Sequence, residues 1–263
     1  MGRKVERVVV PDETILRNAT PRTLDRALRG HVFEEPERVG KWMLGWTDGP
    51  GLLLHFGMTG FFVWSGDEPV RHRHDRVILE LAGGDELRYR NMRKLGGAWL
   101  AHDRDEASSI LGPLGPDALT IPRRDFLERL SRRRGGVKSA LMDQSFVAGV
   151  GNLIADEVLW QAHLHPKHPV ESLTDDERAT LYRTMHSVLK EAVERYDYIS
   201  RKRGWFNRVR GRAEAVCPRC GTPLERITAA GRTTYFCPRC QPAPPAVVRP
   251  TIRAAAPSPP RVR

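Results

Sequence analysis

Two cysteine knuckles, Cys217-Pro218-Arg219-Cys220 and Cys237-Pro238-Arg239-Cys240, hold all four cysteines of the 263-residue chain. Each pair sets two thiolates on one turn, and two such pairs close a tetrahedral metal site. Four protein ligands leave no open coordination position, so one structural Zn²⁺ is expected and not a catalytic ion. An iron centre of the rubredoxin type and redox-active CxxC pairs are the alternatives that share this spacing. In so small a unit, metal binding largely is the folding energy. Between the knuckles, Gly231 to Phe236 reads as a β-hairpin with Arg232 near its tip. Taken by itself, a hairpin arginine is a solvated charge.

Other residues of chemical interest are basic. Lys and Arg number 43 against 32 Asp and Glu, a net charge of +11. Such an excess favours a polyanionic partner, because each neutralised phosphate releases condensed counterions. A basic but otherwise ordinary protein is the competing reading. Arginine dominates the cations, and its planar fork suits phosphates and base edges, although coding bias produces the same skew. The turn Val147-Ala148-Gly149-Val150-Gly151 precedes Asn152, which opens a helix whose free N–H groups can hold a phosphate. The same segment also reads as an ordinary packing corner between helices. No run approaches the roughly 18–20 apolar residues that span a bilayer. The N-terminus lacks the apolar core and cleavage site of a signal peptide, so a cytoplasmic location is expected.

The elements that must position these residues change in period along the chain. Short apolar or alternating runs at 5–10, 41–46, 52–57, 61–65, 76–81 and 86–91 predict strands, punctuated by Gly, Asp and Pro. That spacing predicts an antiparallel sandwich or barrel. Beyond residue 122 the period becomes helical. Thr174-Asp175-Asp176-Glu177 forms a capping box, and Leu181, Met185, Val188, Leu189, Ala192 and Val193 mark one helix face. Asp125 to Arg134 and Asn152 to Ala162 also read as helices, the second following the glycine turn. The last 22 residues carry seven prolines, four arginines and no aromatic residue. They are expected to form a disordered basic tail.

The ordered motifs GKWML (40–44), HFGMTG (55–60), RHDRV (73–77), RNMRKLGG (90–97), the segment 139–166 from SALMDQ to HLHP, and the terminal CPRCQ resemble the formamidopyrimidine-DNA glycosylase / endonuclease VIII family. The resemblance runs from about residue 2 to residue 241. It implies a multidomain α+β protein: an N-terminal β-sandwich (1–115), a helix–two-turn–helix unit (116–200), a zinc ribbon (201–241) and the tail (242–263). The implied enzyme is a monomeric base-excision repair glycosylase and abasic-site lyase acting on double-stranded DNA. It would remove oxidised bases and cut at abasic sites. Cys217, Cys220, Cys237 and Cys240 would bind the zinc. Lys41 would assist β-elimination, and Arg232 would grip the phosphates around the flipped nucleotide and help δ-elimination. Lys138, just before its helix, together with His74 and Asn152, would contact DNA. Met58, Arg93 and Leu95 would fill the void left by the flipped base. Without the resemblance, Lys41 is an edge-strand charge, Met58 and Leu95 are core, and Arg93 is a solvated loop residue.

The match departs from the family at three places. The family's N-terminal Pro-Glu, whose proline amine forms a Schiff base at C1′, matches no position here; Met1-Gly2-Arg3-Lys4-Val5 aligns with a stretch downstream of it. A late-placed start, with Met-Gly standing where the family has Val-Gly, is one explanation. A shortened, catalytically inactive DNA-binding paralogue is another, and Lys41 as a substitute amine is a third. Residues 194–216 lack the GGTT-like start and long loop that cover 8-oxoguanine-type bases. The loop NMRKL stands where many members have DPRRF. The last two leave oxidised purine and oxidised pyrimidine both open.

Overall fold

The structure, a computed structural model, describes residues 2–194 and 202–244. Its first part alternates strands and short connections: β1 (Val5–Val9), α1 (Pro21–Leu28), β2 (Glu37–Val39), β3 (Trp42–Trp46), β4 (Gly51–His55), β5 (Gly60–Trp64), β6 (Asp75–Leu81), β7 (Glu86–Asn91), β8 (Gly97–Ala101) and α2 (Arg104–Leu111). All six runs read as strands are strands. The additional elements are β2, β8, α1 and α2. Both helices carry start signals: Thr20 caps the Thr23 N–H at 3.1 Å ahead of Pro21, and Asp103 caps that of Glu106 at 2.8 Å.

The strands form two four-stranded sheets in the orders β1-β6-β7-β5 and β2-β3-β4-β8, with every pairing antiparallel. Val77, Leu79 and Tyr89 from one sheet meet Leu52, Leu54 and Leu100 from the other in a single core, closed by Leu24 and Leu28 of α1. This is the sandwich that the alternation predicts. The pairing has a consequence for the surface. Gly60 faces Asn91 and His55 faces Gly97, so the β4–β5 and β7–β8 connections leave the sandwich side by side.

The middle part holds α3 (Arg123–Ser131), α4 (Val137–Met142), α5 (Asn152–Gln161) and α6 (Asp175–Glu194). Phe126, Leu130, Leu141, Val158, Leu159, Leu181 and Met185 share its core. The capping box of α6 is made in both directions: Glu177 accepts from the Thr174 N–H at 2.7 Å, and its own N–H donates to Thr174 Oγ1 at 3.2 Å. Three details differ from the sequence reading. Val193 is 61 % exposed and not part of the buried face. Helix α3 starts at Arg123 and ends at Ser131, short of Arg134. Lys138 lies inside α4 and not before it.

A hairpin follows, β9 (Glu225–Ala229) and β10 (Arg232–Phe236), turned by Ala230-Gly231. Both turn residues have positive φ, 53° and 65°, the two-residue geometry that matches strand twist. The architecture is therefore the multidomain α+β arrangement of sandwich, helical unit and ribbon. Most of the Pro/Arg tail lies outside the described residues. Among the described residues, no helix is long and apolar enough to cross a membrane.

Candidate nucleic-acid interface

The four cysteine sulfurs lie within 4.8 Å of one another, and neighbouring pairs stand at 3.5 and 3.9 Å. Zinc–sulfur bonds of about 2.3 Å in a tetrahedron place sulfurs about 3.8 Å apart, so this donor set fits one Zn²⁺ with no open position. Surrounding groups orient the site. Trp160 of α5 donates its indole N–H to Cys217 Sγ at 3.3 Å. Gln241, the residue ending CPRCQ, accepts from the Cys237 N–H at 3.0 Å and donates to the Leu164 carbonyl at 2.8 Å. The ribbon is thereby fastened to α5 and the loop that follows it.

Lys41 reaches the helical unit through a seam of small residues. Gly40 has a φ of +59°, and a Cβ there would stand 2.9 Å from Ala148 Cβ, so only glycine lets the β2–β3 turn touch the glycine turn. Asp117 holds the seam by accepting from the Gly40 N–H at 2.8 Å and from both ends of the Arg38 guanidinium at 2.5 and 2.8 Å. A Cβ on Gly151 would lie 3.5 Å from Lys41 Nζ, an ordinary contact, which places the ammonium directly against the start of α5. Burial first, and then the charge of Arg232, push the Lys41 pKa below its ordinary value. His55, which pairs with Trp42 across β3 and β4, is lowered by burial and by Lys41. Lys41 thus stands between Arg232, His55 and the start of α5. No side chain caps that helix, whose N-cap is Gly151, so its first N–H groups remain free for an anion.

Lys138 is not on this surface. Its side chain is fully buried, and its ammonium donates to Asn152 Oδ1 at 2.7 Å, Asp156 Oδ1 at 2.6 Å and Thr234 Oγ1 at 2.6 Å. All three of its N–H donors are used inside the protein. Asp156 also accepts from Arg210 Nε at 2.6 Å, while Arg210 and Asn152 both donate to the Thr233 carbonyl, at 3.0 and 3.3 Å. Thr234 Oγ1 passes the connection on to the Arg232 carbonyl at 3.0 Å. This buried junction ties α4 and the start of α5 to the strand carrying Arg232. Asp156 and Arg210 are absent from the sequence reading, which had no pairing signal for residues 54 positions apart.

The sandwich carries the other candidate residues. Met58 is 72 % exposed and Leu95 55 %, so neither is a core residue. Arg93 donates to Met58 Sδ at 3.6 Å, and the Leu95 backbone lies against Gly57, next to Met58, so the three void-filling candidates share neighbouring loops; Met92 is exposed as well. His74 is half-buried ahead of β6 and accepts from Arg76 at 2.9 Å. Burial and the neighbouring Arg73 and Arg76 charges lower its pKa. Arg76 also bonds the Asn91 carbonyl at 2.9 Å, linking His74 to the root of those loops.

Three family descriptions match the chain in succession. They are the formamidopyrimidine-DNA glycosylase N-terminal domain at residues 1–98, the formamidopyrimidine-DNA glycosylase H2TH domain at 114–203, and the zinc finger found in FPG and IleRS at 216–243. The chain is 37 % identical to the formamidopyrimidine-DNA glycosylase of Symbiobacterium thermophilum, an alignment covering 97 % of this chain and 88 % of that one. Identity to the Herpetosiphon aurantiacus protein of the same name is 36 %, over 84 % and 86 % of the two chains. Among solved structures, Lactococcus lactis Fpg in complex with abasic-site DNA superimposes with a TM-score of 0.80 at 26 % identity, covering 92 % of this chain and 93 % of that one. The same enzyme with Fapy-dG DNA gives a TM-score of 0.80 at 26 % identity, over 92 % and 94 %.

Proposed function

The chain belongs to the formamidopyrimidine-DNA glycosylase family, and from that premise we propose that it binds duplex DNA at oxidised bases and abasic sites, releases the base and cuts the strand there. One observation carries the reading. Lys41 from the sandwich, the uncapped start of α5 and the hairpin bearing Arg232 meet at one place, each contributed by a different part of the chain.

The chemistry follows from that convergence. The free N–H groups of α5 and the Arg232 guanidinium hold the phosphates beside an everted nucleotide. At an abasic site the C1′ carbonyl or its iminium acidifies C2′; Lys41, its pKa lowered by burial and by Arg232, takes that proton, and the 3′ phosphate leaves as the C2′–C3′ double bond forms. His74 adds a phosphate contact, and Asn152 orients the start of α5 against the hairpin. Met58, Arg93 and Leu95 occupy the vacated stack, the two apolar side chains as wedges and Arg93 against the unpaired base. The amine that attacks C1′ is the one that borohydride trapping identifies, with Lys41 among the amines it tests. The functional division follows residues 1–115, 116–200 and 201–241, with the protein acting as a monomer on cytoplasmic DNA at the nucleoid.

Binding of a duplex carrying a tetrahydrofuran abasic analogue, against the same duplex intact, tests the reading. Zinc-loaded protein should prefer the abasic duplex; equal affinities would overturn the assignment. Borohydride trapping on a natural abasic site, followed by peptide mapping, then reports which amine attacks.

A further inference from the structure

Asn91 ends β7 with its side chain fully buried, at the root of a projection whose tips, Met58 and Leu95, are exposed apolar groups. Its amide is bonded on every side. Oδ1 accepts from Thr59 Oγ1 at 3.0 Å and from the Lys94 N–H at 2.9 Å. Nδ2 donates to the Phe56 carbonyl at 3.2 Å and to the Tyr89 hydroxyl at 2.7 Å. The bonded groups continue the network: Thr59 Oγ1 accepts from the Arg93 N–H at 3.0 Å, and the Tyr89 hydroxyl donates to the His55 carbonyl at 3.1 Å.

These bonds run across two separate connections. Phe56 and Thr59 flank Met58 in the β4–β5 loop, while Arg93 and Lys94 sit beside Leu95 in the β7–β8 loop. Strand pairing brings the loops alongside each other, but it leaves their tips free to move independently. Lys94 also holds a left-handed φ of 52°, a conformation that needs outside support; its N–H goes to Asn91, and Arg17 donates to its carbonyl at 3.2 Å. An amide offers two donor hydrogens and an acceptor oxygen on one short side chain, which is what these four bonds use. Aspartate would supply only acceptors, and leucine neither.

We propose that Asn91 is a positioning residue that locks the two void-filling loops into a single wedge and so sets selectivity for damaged over intact DNA. The proposal rests on the assignment of Met58 and Leu95 as wedges. A wedge pays off only where the stack is already broken, so its tips must arrive ordered; loops that must be ordered on binding lose part of the affinity gained at the lesion.

The test is the ratio of affinities for tetrahydrofuran-containing and intact duplex, measured on zinc-loaded full-length protein for Met58→Ala, Asn91→Ala and the double variant. Coupled neighbours should each lower the ratio about tenfold, and the double variant should lie no lower than the singles. An Asn91→Ala ratio equal to wild type while Met58→Ala falls, or full additivity in the double variant, would overturn the role of Asn91. An unchanged ratio for Met58→Ala would instead overturn the wedge assignment itself. Thr59→Ala, which removes the direct Thr59 bridge to Asn91 and Arg93 without emptying the buried position, keeps the test open should Asn91→Ala not fold; it predicts a loss in the same direction, and a wild-type ratio in that folded variant would refute the locking.

Discussion

A lysine becomes useful as a base only when its charge is made costly, and Lys41 meets that condition twice. Burial in the cleft disfavours the ammonium, and the Arg232 guanidinium adds like-charge repulsion. Removing the second cause has a definite sign. In Arg232→Gln the Lys41 pKa should rise, because a repelling charge has gone. If neutral Lys41 takes the C2′ proton, activity increases with pH through that pKa, so the ascending limb of abasic-site cleavage should move to higher pH. The variant should also be slower throughout, having lost a phosphate contact. A cleaving variant whose limb does not move would exclude Lys41 as the base. The same residue scale separates Met58 and Leu95 from the core: burial would have made them packing residues, and their exposure leaves them free to enter a base stack.

Between elements, the decisive object is the Lys138–Asp156–Arg210 junction. Lys138 and Asp156 are both fully buried, and the Asp156 carboxylate is shared with Arg210 at 2.6 Å. Breaking one member leaves charge uncompensated in the interior, which costs about 3–5 kcal/mol. Asp156→Asn should therefore lower the unfolding free energy by roughly that amount, seen in denaturant or thermal melts, and should loosen the hairpin carrying Arg232. Replacing both, Lys138→Met with Asp156→Leu, should recover only part of that loss, because Lys138 no longer needs a partner but Arg210 still loses its carboxylate. The double variant also distinguishes two roles for Lys138. A phosphate contact would reduce the salt slope of DNA binding by about 0.9 on removal; a buried positioning group leaves the slope unchanged.

For the whole molecule, three parts are joined by a polar seam at the sandwich and by a mixed polar and apolar seam at the ribbon. Asp117 binds the Gly40 turn to the helical unit, and Gln241 and Trp160 bind the ribbon to α5. The ribbon's own apolar cluster is small, with Trp160 and Phe206 packed against the cysteines, so its shape depends on the metal. Cys237→Ser, or extraction of zinc by a chelator, should release the ion and abolish DNA binding, because Arg232 and the Lys138 junction are both held through β10. Zinc content by atomic absorption, with binding by fluorescence anisotropy, checks this; retained affinity after complete zinc loss would contradict it. A net charge of +11 adds steep salt dependence to all of these measurements.

The sequence by itself was sufficient for whatever is encoded locally. Cysteine spacing specified a four-thiolate site expected to hold zinc, short apolar or alternating runs between turn residues specified six strands, and a capping box specified the start of α6, because each depends on local spacing. Ordered motifs extended this to the family and to the candidate site residues. Tertiary structure alone decided what depends on burial and on distant partners. It moved Lys138 from a surface contact to a buried fulcrum, brought Met58 and Leu95 out of the core, and revealed Asp156, Arg210 and Asn91 as the groups holding the site together. Asn91 and Thr59 are 32 residues apart, and Lys138 and Thr234 are 96 apart. Nothing in local spacing reports such a bond; it exists only because sheet pairing and helix packing carry the two atoms to within hydrogen-bonding distance.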